Sequence, residues 1–247
     1  MASIPDIIAT AFNTARSGRP QQAVADLQRA LRVHIDDPDL HENLGLLLMQ
    51  MGQHDQSLYH LQRATAVAPK RSDFHSNYAT ALNLNNKTKE ALDAYRKAIA
   101  ADANSFHGHL GLSSALFGLN DYTAAIASAT RAAELNPRAA EPAINLGLAL
   151  TRVGRGDEAV KAFREALDRA GDNPMLLMNL AMAINYRPEA SAQDIFDAHA
   201  RLGKAMALAA GPAQPHFPDM NPDRRLRIGY VCADFPDRAV AWFLKPL

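Results

Sequence analysis

Five alanines, Ala30, Ala64, Ala98, Ala132 and Ala166, stand 34 residues apart. A recurrence at that step confines the chain to a repeat architecture before any single residue is weighed. Other columns keep the step: Leu48, Leu82, Leu116 and Leu150, continued by Ile184, and Leu44, Tyr78, Leu112, Leu146 and Leu180. Two columns hold small residues: Gly45, Ala79, Ser113, Gly147 and Ala181, and Ala23, Ser57, Ala91, Ala125 and Ala159. Small side chains at fixed places let backbones approach. The pattern therefore predicts two antiparallel helices per unit, touching at those columns, and an all-α superhelical solenoid.

Breakers fall where helices should end. Gly18, Gly52 and Gly154 share a column with Asn86 and Asn120, and both residue types tolerate the left-handed conformation of a helix C-terminus. Pro69 and Pro137 follow the second helix of their units, where a helix must stop. Pro174 opens the last first-type helix. Units start near Pro38, Ser72, Phe106 and Ala140, after a weaker first unit with Thr10 in the Leu/Tyr column. A polar residue there suits a terminal unit whose outer face meets water.

The order Leu44-Gly45, Leu48, Gly52, Ser57, Leu61, Ala64 and Pro69 resembles the tetratricopeptide repeat. So do Tyr78-Ala79, Leu82, Ala91, Tyr95 and Ala98, and later Leu146-Gly147, Leu150, Gly154, Ala159, Phe163 and Ala166. The resemblance covers residues 4–187, five full units and the first helix of a sixth. It is specific for fold and unspecific for function, because such repeats serve many unrelated binders.

After Tyr186 the step ends. Ser191 reads as an N-cap, and Ile195, Phe196, His199, Leu202 and Met206 are expected on the packed face of a capping helix within residues 188–210. Residues 211–223 hold Pro212, Pro215, Pro218 and Pro222 and read as a semi-rigid linker. Leu226 to Cys232 (LRIGYVC) is rich in β-formers, and a helix is expected from Ala239 to Leu244. A lone strand exposes its backbone groups, so residues 224–247 read as the incomplete start of an α/β domain, and the chain as an N-terminal piece of a longer protein.

The segment RRLRIGYVCADFPDRAVAWFLKPL, Arg224 to Leu247, resembles the opening of the catalytic region of tetratricopeptide-containing O-GlcNAc transferases of the bacterial and SPINDLY-like type. Asn185-Tyr186, Pro188, Ser191, Phe196, His199 and Gly203 look like the junction such enzymes place between repeats and catalysis. The resemblance implies a metal-independent, inverting glycosyltransferase of the two-lobed GT-B type. It would carry N-acetylglucosamine from UDP-GlcNAc, the implied donor, to Ser or Thr hydroxyls of proteins; a fucose donor serves the SPINDLY branch. No cofactor is implied within these residues, and the chain alone is not expected to be catalytic. The family's histidine after D-F-x-x falls at Arg238. Arginine stays charged and cannot act as a base, so Arg238 stands for weakened activity, an altered donor or a non-catalytic relative, or else for a phosphate or solvent contact.

Inside the repeats, Asn43, Asn77, Asn145 and Asn179 occupy one position of successive units, with Gly111 interrupting the series. A primary amide offers donor and acceptor, so a file of them along a concave groove can pair with a peptide backbone without reading side chains. The resemblance adds that O-GlcNAc transferases bind protein substrates on such an array. The alternative is that the amides cap or bridge helices within the stack. His41, His75 and His109 also keep the step. Equivalent residues on successive units lie about 10 Å apart, whereas a metal needs each nitrogen near 2 Å. No metal is therefore expected, and packing or groove lining is.

The 26 Lys+Arg equal the 26 Asp+Glu, so no bulk attraction to nucleic acid or anionic lipid is predicted. The single cysteine, Cys232, excludes an intrachain disulfide and is expected to be buried in its strand. Neither a basic start followed by an apolar core nor a run of roughly 20 apolar residues is seen, and a cytoplasmic protein is the plain expectation. Protein or peptide partners are expected in the concave groove, and an exposed repeat surface can also support a homodimer.

Overall fold

The computed structural model describes residues 3–211, which form twelve helices and no strand. They are α1 (Ile4–Arg16), α2 (Pro20–Val33), α3 (Pro38–Gln50), α4 (His54–Val67), α5 (Ser72–Leu84), α6 (Thr88–Ala101), α7 (Phe106–Gly118), α8 (Tyr122–Leu135), α9 (Glu141–Arg152), α10 (Gly156–Ala170), α11 (Pro174–Asn185) and α12 (Ala192–Ala210). The readings at Cys232 and Arg238, the expected strand, the helix expected from Ala239 to Leu244, and the linker from residue 212 onward lie outside the described residues.

Helix starts follow the side chains available to the first free N–H groups. Ser3 and Asp6 form a reciprocal capping box on α1. Asp37 accepts from Leu40 N at 2.9 Å and Ser105 from Gly108 N at 3.2 Å. Asn173 accepts from Met175 N and Leu176 N. Each such cap is worth about 1 kcal/mol. The paired helices turn at a residue with positive φ: Gly18, Gly52, Asn86, Asn120 and Gly154, with φ between 60° and 83°. Behind each turn one N–H reaches back five residues, as in Gln53 N to Leu48 O at 2.9 Å and Arg155 N to Leu150 O at 3.0 Å. That bond satisfies a helix-end carbonyl and reverses the chain.

Each helix packs on its neighbours in sequence. Among α1 to α11, odd helices also touch the next odd helix, whereas even helices touch no other even helix. The odd helices are thus crowded together and the even ones splayed apart, which makes the odd-helix side the inner wall of a curved stack. The core is strung along the stack in layers. One joins Ala11, Ala23, Leu27, Leu40, Leu44 and Leu48; another joins Ala79, Leu82, Ala91 and Tyr95. The largest gathers Leu150, Phe163, Leu167, Leu177, Leu180 and Ile184 near α11. Full burial of such a side chain is worth about 1.5–3 kcal/mol.

The two small columns meet each other. The Ser57 hydroxyl on α4 donates to the Gly45 carbonyl on α3 at 2.8 Å. A Cβ on Gly45 would lie 2.6 Å from Leu61 Cγ, and one on Gly147 would lie 2.8 Å from the Phe163 ring. Gly111 answers a different neighbour. A Cβ there would come 2.1 Å from Tyr95 Cε1, and Tyr95 is buried with its hydroxyl 3.1 Å from Thr80 Oγ1. The tyrosine ring occupies the space that an asparagine at 111 would need. That is the physical reason for the gap in the amide series.

α12 spans the region expected, and Ser191 caps it reciprocally with Asp194. Its packed face differs from the one read in the sequence. Ala198 and Ala205 are buried with the α11 layer, and Ile195 and Leu202 pack beside them. Phe196 and Met206 are 66% and 56% exposed, and exposed His199 accepts from Asn185 Nδ2 at 3.2 Å. The buried stripe runs one position away from the bulkiest side chains, because alanines let α12 lie close to its neighbour. Among the described residues no helix is long and apolar enough to cross a membrane.

Gly111→Ala should destabilise the chain by about 1–3 kcal/mol, the usual range for overpacking a filled site. In a Tyr95→Ala background the same change should cost markedly less. Urea denaturation of the four species of that cycle checks the coupling, and additive effects would contradict the assigned contact.

Candidate peptide-binding face

Each odd helix buries one stripe and turns another away from the core. On α3 the buried stripe includes Leu40, Leu44, Leu47 and Leu48, and Asp39, Asn43 and Leu46 lie beside it, partly exposed. On α11 the corresponding outward stripe is Met175, Met178, Asn179, Met182 and Tyr186. Down the stack this wall changes character. Asp39, Glu42 and Asp73 give way to Ile144, Leu148, Met178 and Met182.

The four asparagines occupy equivalent places on this wall and make different bonds. Asn43 Nδ2 donates within its own helix to Asp39 O at 2.7 Å. Asn77 Nδ2 donates to Glu42 Oε1 on the preceding odd helix. Asn145 Nδ2 donates to Ser113 Oγ at 2.8 Å and Ser114 Oγ at 2.9 Å, again on the preceding odd helix. Asn179 has no hydrogen-bond partner among the described residues and lines a recess between α9 and α11. Two amides therefore bridge repeats through their N–H groups. The side-chain oxygens of all four accept nothing from the described residues and are not cut off from solvent. What the wall offers is a file of acceptors in register, with the donor half of Asn77 and Asn145 already engaged.

The recess holds about 340 Å³ and is lined by Leu148, Thr151, Arg152, Phe163, Asn179, Met182 and Tyr186. Phe163 is fully buried, whereas Met178 and Met182 are each 47% exposed. The Thr151 hydroxyl is committed to Gly147 O at 2.8 Å. Arg152 lies 5.8 Å from the Phe117 ring centroid and has no carboxylate partner among the described residues.

Glu42 was not singled out by the sequence. It is 5% exposed, accepts from Asn77 at Oε1, and has no partner at Oε2. Burial pushes its carboxyl up to about 8; the Asn77 bond opposes the rise, Asp73 and Asp39 add to it, and Arg71 opposes it. Arg71 is already divided between Asp73 at 2.7 Å and Asp39 at 3.3 Å, and stacks 4.1 Å over Phe74. A signal existed in the column Glu42, Ser76, Leu110, Ile144, Met178. A lone carboxylate where other units place uncharged residues marks an unusual environment.

The three periodic histidines tie down loops. His41 Nε2–H donates to Ile35 O at 3.0 Å, His75 Nε2–H to Pro69 O at 2.9 Å, and His109 Nε2–H to Ala103 O at 3.2 Å. The carbonyl accepts only, so each Nε2 carries the proton. His41 Nδ1 is then an acceptor, and His60 Nδ1–H fills it at 2.9 Å. Burial, and then the neighbouring His41, hold His60 down at about 4. Among the described residues no group of three or more His, Cys, Asp or Glu is placed to hold a metal.

These two shifted groups give opposite slopes. Folded Glu42 keeps a proton that the unfolded chain loses above about 4.5, so its contribution is complete at low pH and is lost as pH rises through about 8. Folded His60 refuses a proton that the unfolded chain takes below 6.5, so its contribution is lost as pH falls from 6.5 through about 4. They oppose one another between 4.5 and 6.5, and Glu42 acts alone above that. Melting temperature should decline between pH 6.5 and 8, and Glu42→Gln should flatten that decline while leaving the acid limb in place. An unchanged alkaline slope in Glu42→Gln would refute the assignment.

Comparison with known proteins bears on the repeats. The chain matches the tetratricopeptide repeat over residues 15–58, 42–106 and 110–183. It is 30% identical over 117 residues to the small glutamine-rich tetratricopeptide repeat-containing protein 2 of Mycosarcoma maydis, which covers 47% of this chain and 33% of that protein. The chain thus spans about a third of that relative's length. Among solved structures it is similar to the type IV pilus biogenesis factor PilW, with a TM-score of 0.71 at 18% identity over 82% of this chain and 94% of the other. YrrB, described as a repeat protein with an unusual peptide-binding site, aligns with a TM-score of 0.57 at 20% identity over 73% of this chain and 90% of the other. The 34-residue step, the helix pairs it folds into and the family match agree, and the chain belongs to the tetratricopeptide-repeat family.

Proposed function

We propose that the chain is a protein–protein interaction scaffold that holds an extended polypeptide along its odd-helix wall. One observation carries the proposal: Asn43, Asn77, Asn145 and Asn179 recur at a single helix position, and their side-chain oxygens remain open. An extended peptide presents backbone N–H groups at regular intervals. Amide oxygens spaced by repeats can accept from them whatever the peptide's side chains, which gives adhesion with loose sequence selectivity. The description of YrrB as peptide-binding is consistent with such use of this fold.

A second reading is favoured by the segment Arg224–Leu247. Its likeness to the start of O-GlcNAc transferase catalytic regions would make the wall a recruiting surface for proteins that receive N-acetylglucosamine from UDP-GlcNAc. Radiolabelled UDP-GlcNAc and a fucose donor, each supplied with a mixed lysate to the natural gene product, test it. Failure of both donors to label protein would leave the scaffold reading alone. If label is transferred, Arg238→His measures whether the arginine limits turnover.

The amides separate binding from stability. Asn179→Ala removes a side chain with no partner, so the melting temperature should move by less than about 2 °C while affinity for a bound polypeptide falls roughly fivefold. Asn77→Ala strips Glu42 of its hydrogen bond and should destabilise the fold by about 1–3 kcal/mol. Calorimetric melting and titration of a captured client distinguish the two. Client affinity untouched by Asn77→Ala combined with Asn145→Ala would end the idea of an amide track.

A further inference from the structure

The wall carries one place built for a particular side chain. Between α9 and α11 the surface sinks into the recess lined by Phe163 and Leu148, with half-exposed Met182 at its rim. Its polar groups are few. Asn179 contributes an amide with neither end engaged by the described residues. Arg152 contributes a guanidinium with no carboxylate partner among the described residues. No carboxylate lines the recess. Arg155 and Arg187, by contrast, are ion-paired with Glu158 and Asp157.

We infer that this recess seats one large apolar side chain of an extended polypeptide whose adjacent residue is acidic. The inference rests on the scaffold reading and adds the chemistry of the partner. An apolar floor with a half-exposed methionine rim favours a leucine, methionine or phenylalanine, since methionine adapts to irregular shapes. Met178 and Tyr186 extend the apolar strip on either side and are 47% and 68% exposed, a contiguous apolar surface that marks an interaction site when it lies on a helix face. Asn179 pairs with the backbone of the seated residue. Arg152 at the rim selects a carboxylate beside it, where a fork of N–H donors can engage both oxygens.

The cation has two competing roles, of which the first is its contact with the Phe117 ring 5.8 Å away. Arg152 sits in the last turn of α9 and complements that helix's terminal carbonyls. Neither role gives Arg152 any influence over which peptide is chosen, and that difference can be measured.

The test uses the 247-residue chain immobilised against a randomised dodecapeptide library, followed by anisotropy titration of the recovered peptides. Recovered sequences should pair a large apolar residue with Asp or Glu. Met182→Glu and Arg152→Glu should each raise Kd roughly tenfold, while Lys97→Glu on the outer helix α6 leaves it unchanged. Selection on Arg152→Glu should exchange the acidic residue for Lys or Arg. If Met182→Glu does not fold, Met182→Gln with the same titration serves. Peptides that bind the wild type without this pairing, or with affinity indifferent to Arg152 and Met182, overturn the recess and leave the scaffold standing. Recovery of no peptide at all removes both.

Discussion

Contact between paired helices at small side chains is the interaction on which the rest of this chain depends. Gly45 and Gly147 leave room for Leu61 and Phe163 to lie against the helix backbone, and Ser57 donates across the same gap to Gly45 O. The small columns recur every 34 residues, and each odd helix among α1 to α11 touches the next. The register of the asparagines is inherited from this packing. Asn77 can reach Glu42, and Asn145 can reach Ser113 and Ser114, because successive odd helices touch. Where a large residue intrudes between units, as Tyr95 does at Gly111, the series yields to it.

The polar groups of the wall are arranged around burial more than around charge pairing. Ion pairs that cross between units include Arg63 with Asp36 and Arg201 with Asp172, which are exposed, and such exposed pairs contribute little. Glu42 is different. It has left water without a full-time cation, because Arg71 is divided between Asp39 and Asp73, and it holds a proton as a result. His60 meets the same loss of solvent with the opposite outcome and stays neutral by refusing one. The buried acid and imidazole are therefore neutral, while Asp39, Arg71 and Asp73 hold exposed charge at one end of the inner wall and Met182, Leu148 and Phe163 with Arg152 line the recess at the other.

Much of this was legible in the amino acids. The step placed helix pairs, the Gly/Asn column placed the turns, and Ser191 placed the start of α12, because each depends on local backbone chemistry repeated at a fixed interval. What escaped the sequence depends on neighbours in space. Asn77 and Asn145 look alike in the column, yet one bonds a carboxyl and the other two hydroxyls, a difference set by what the preceding helix carries. The protonation of Glu42 follows from enclosure that no column reveals. The α12 face was misread because apolar bulk was weighed above closeness of approach: Phe196 and Met206 are larger, but Ala198 and Ala205 let the helix settle.

The layers are unequal along the stack. α10 sends Val160, Phe163 and Leu167 into its layer, whereas the buried residues of α8 are Ala125, Ser128, Ala129 and Ala132. Side chains this small leave the backbones themselves to make the joint, and α8 packs on both α7 and α9. Close approach rather than bulk therefore holds the stack at α8, and any enlargement of Ala125, Ala129 or Ala132 would push two neighbouring helices apart at once.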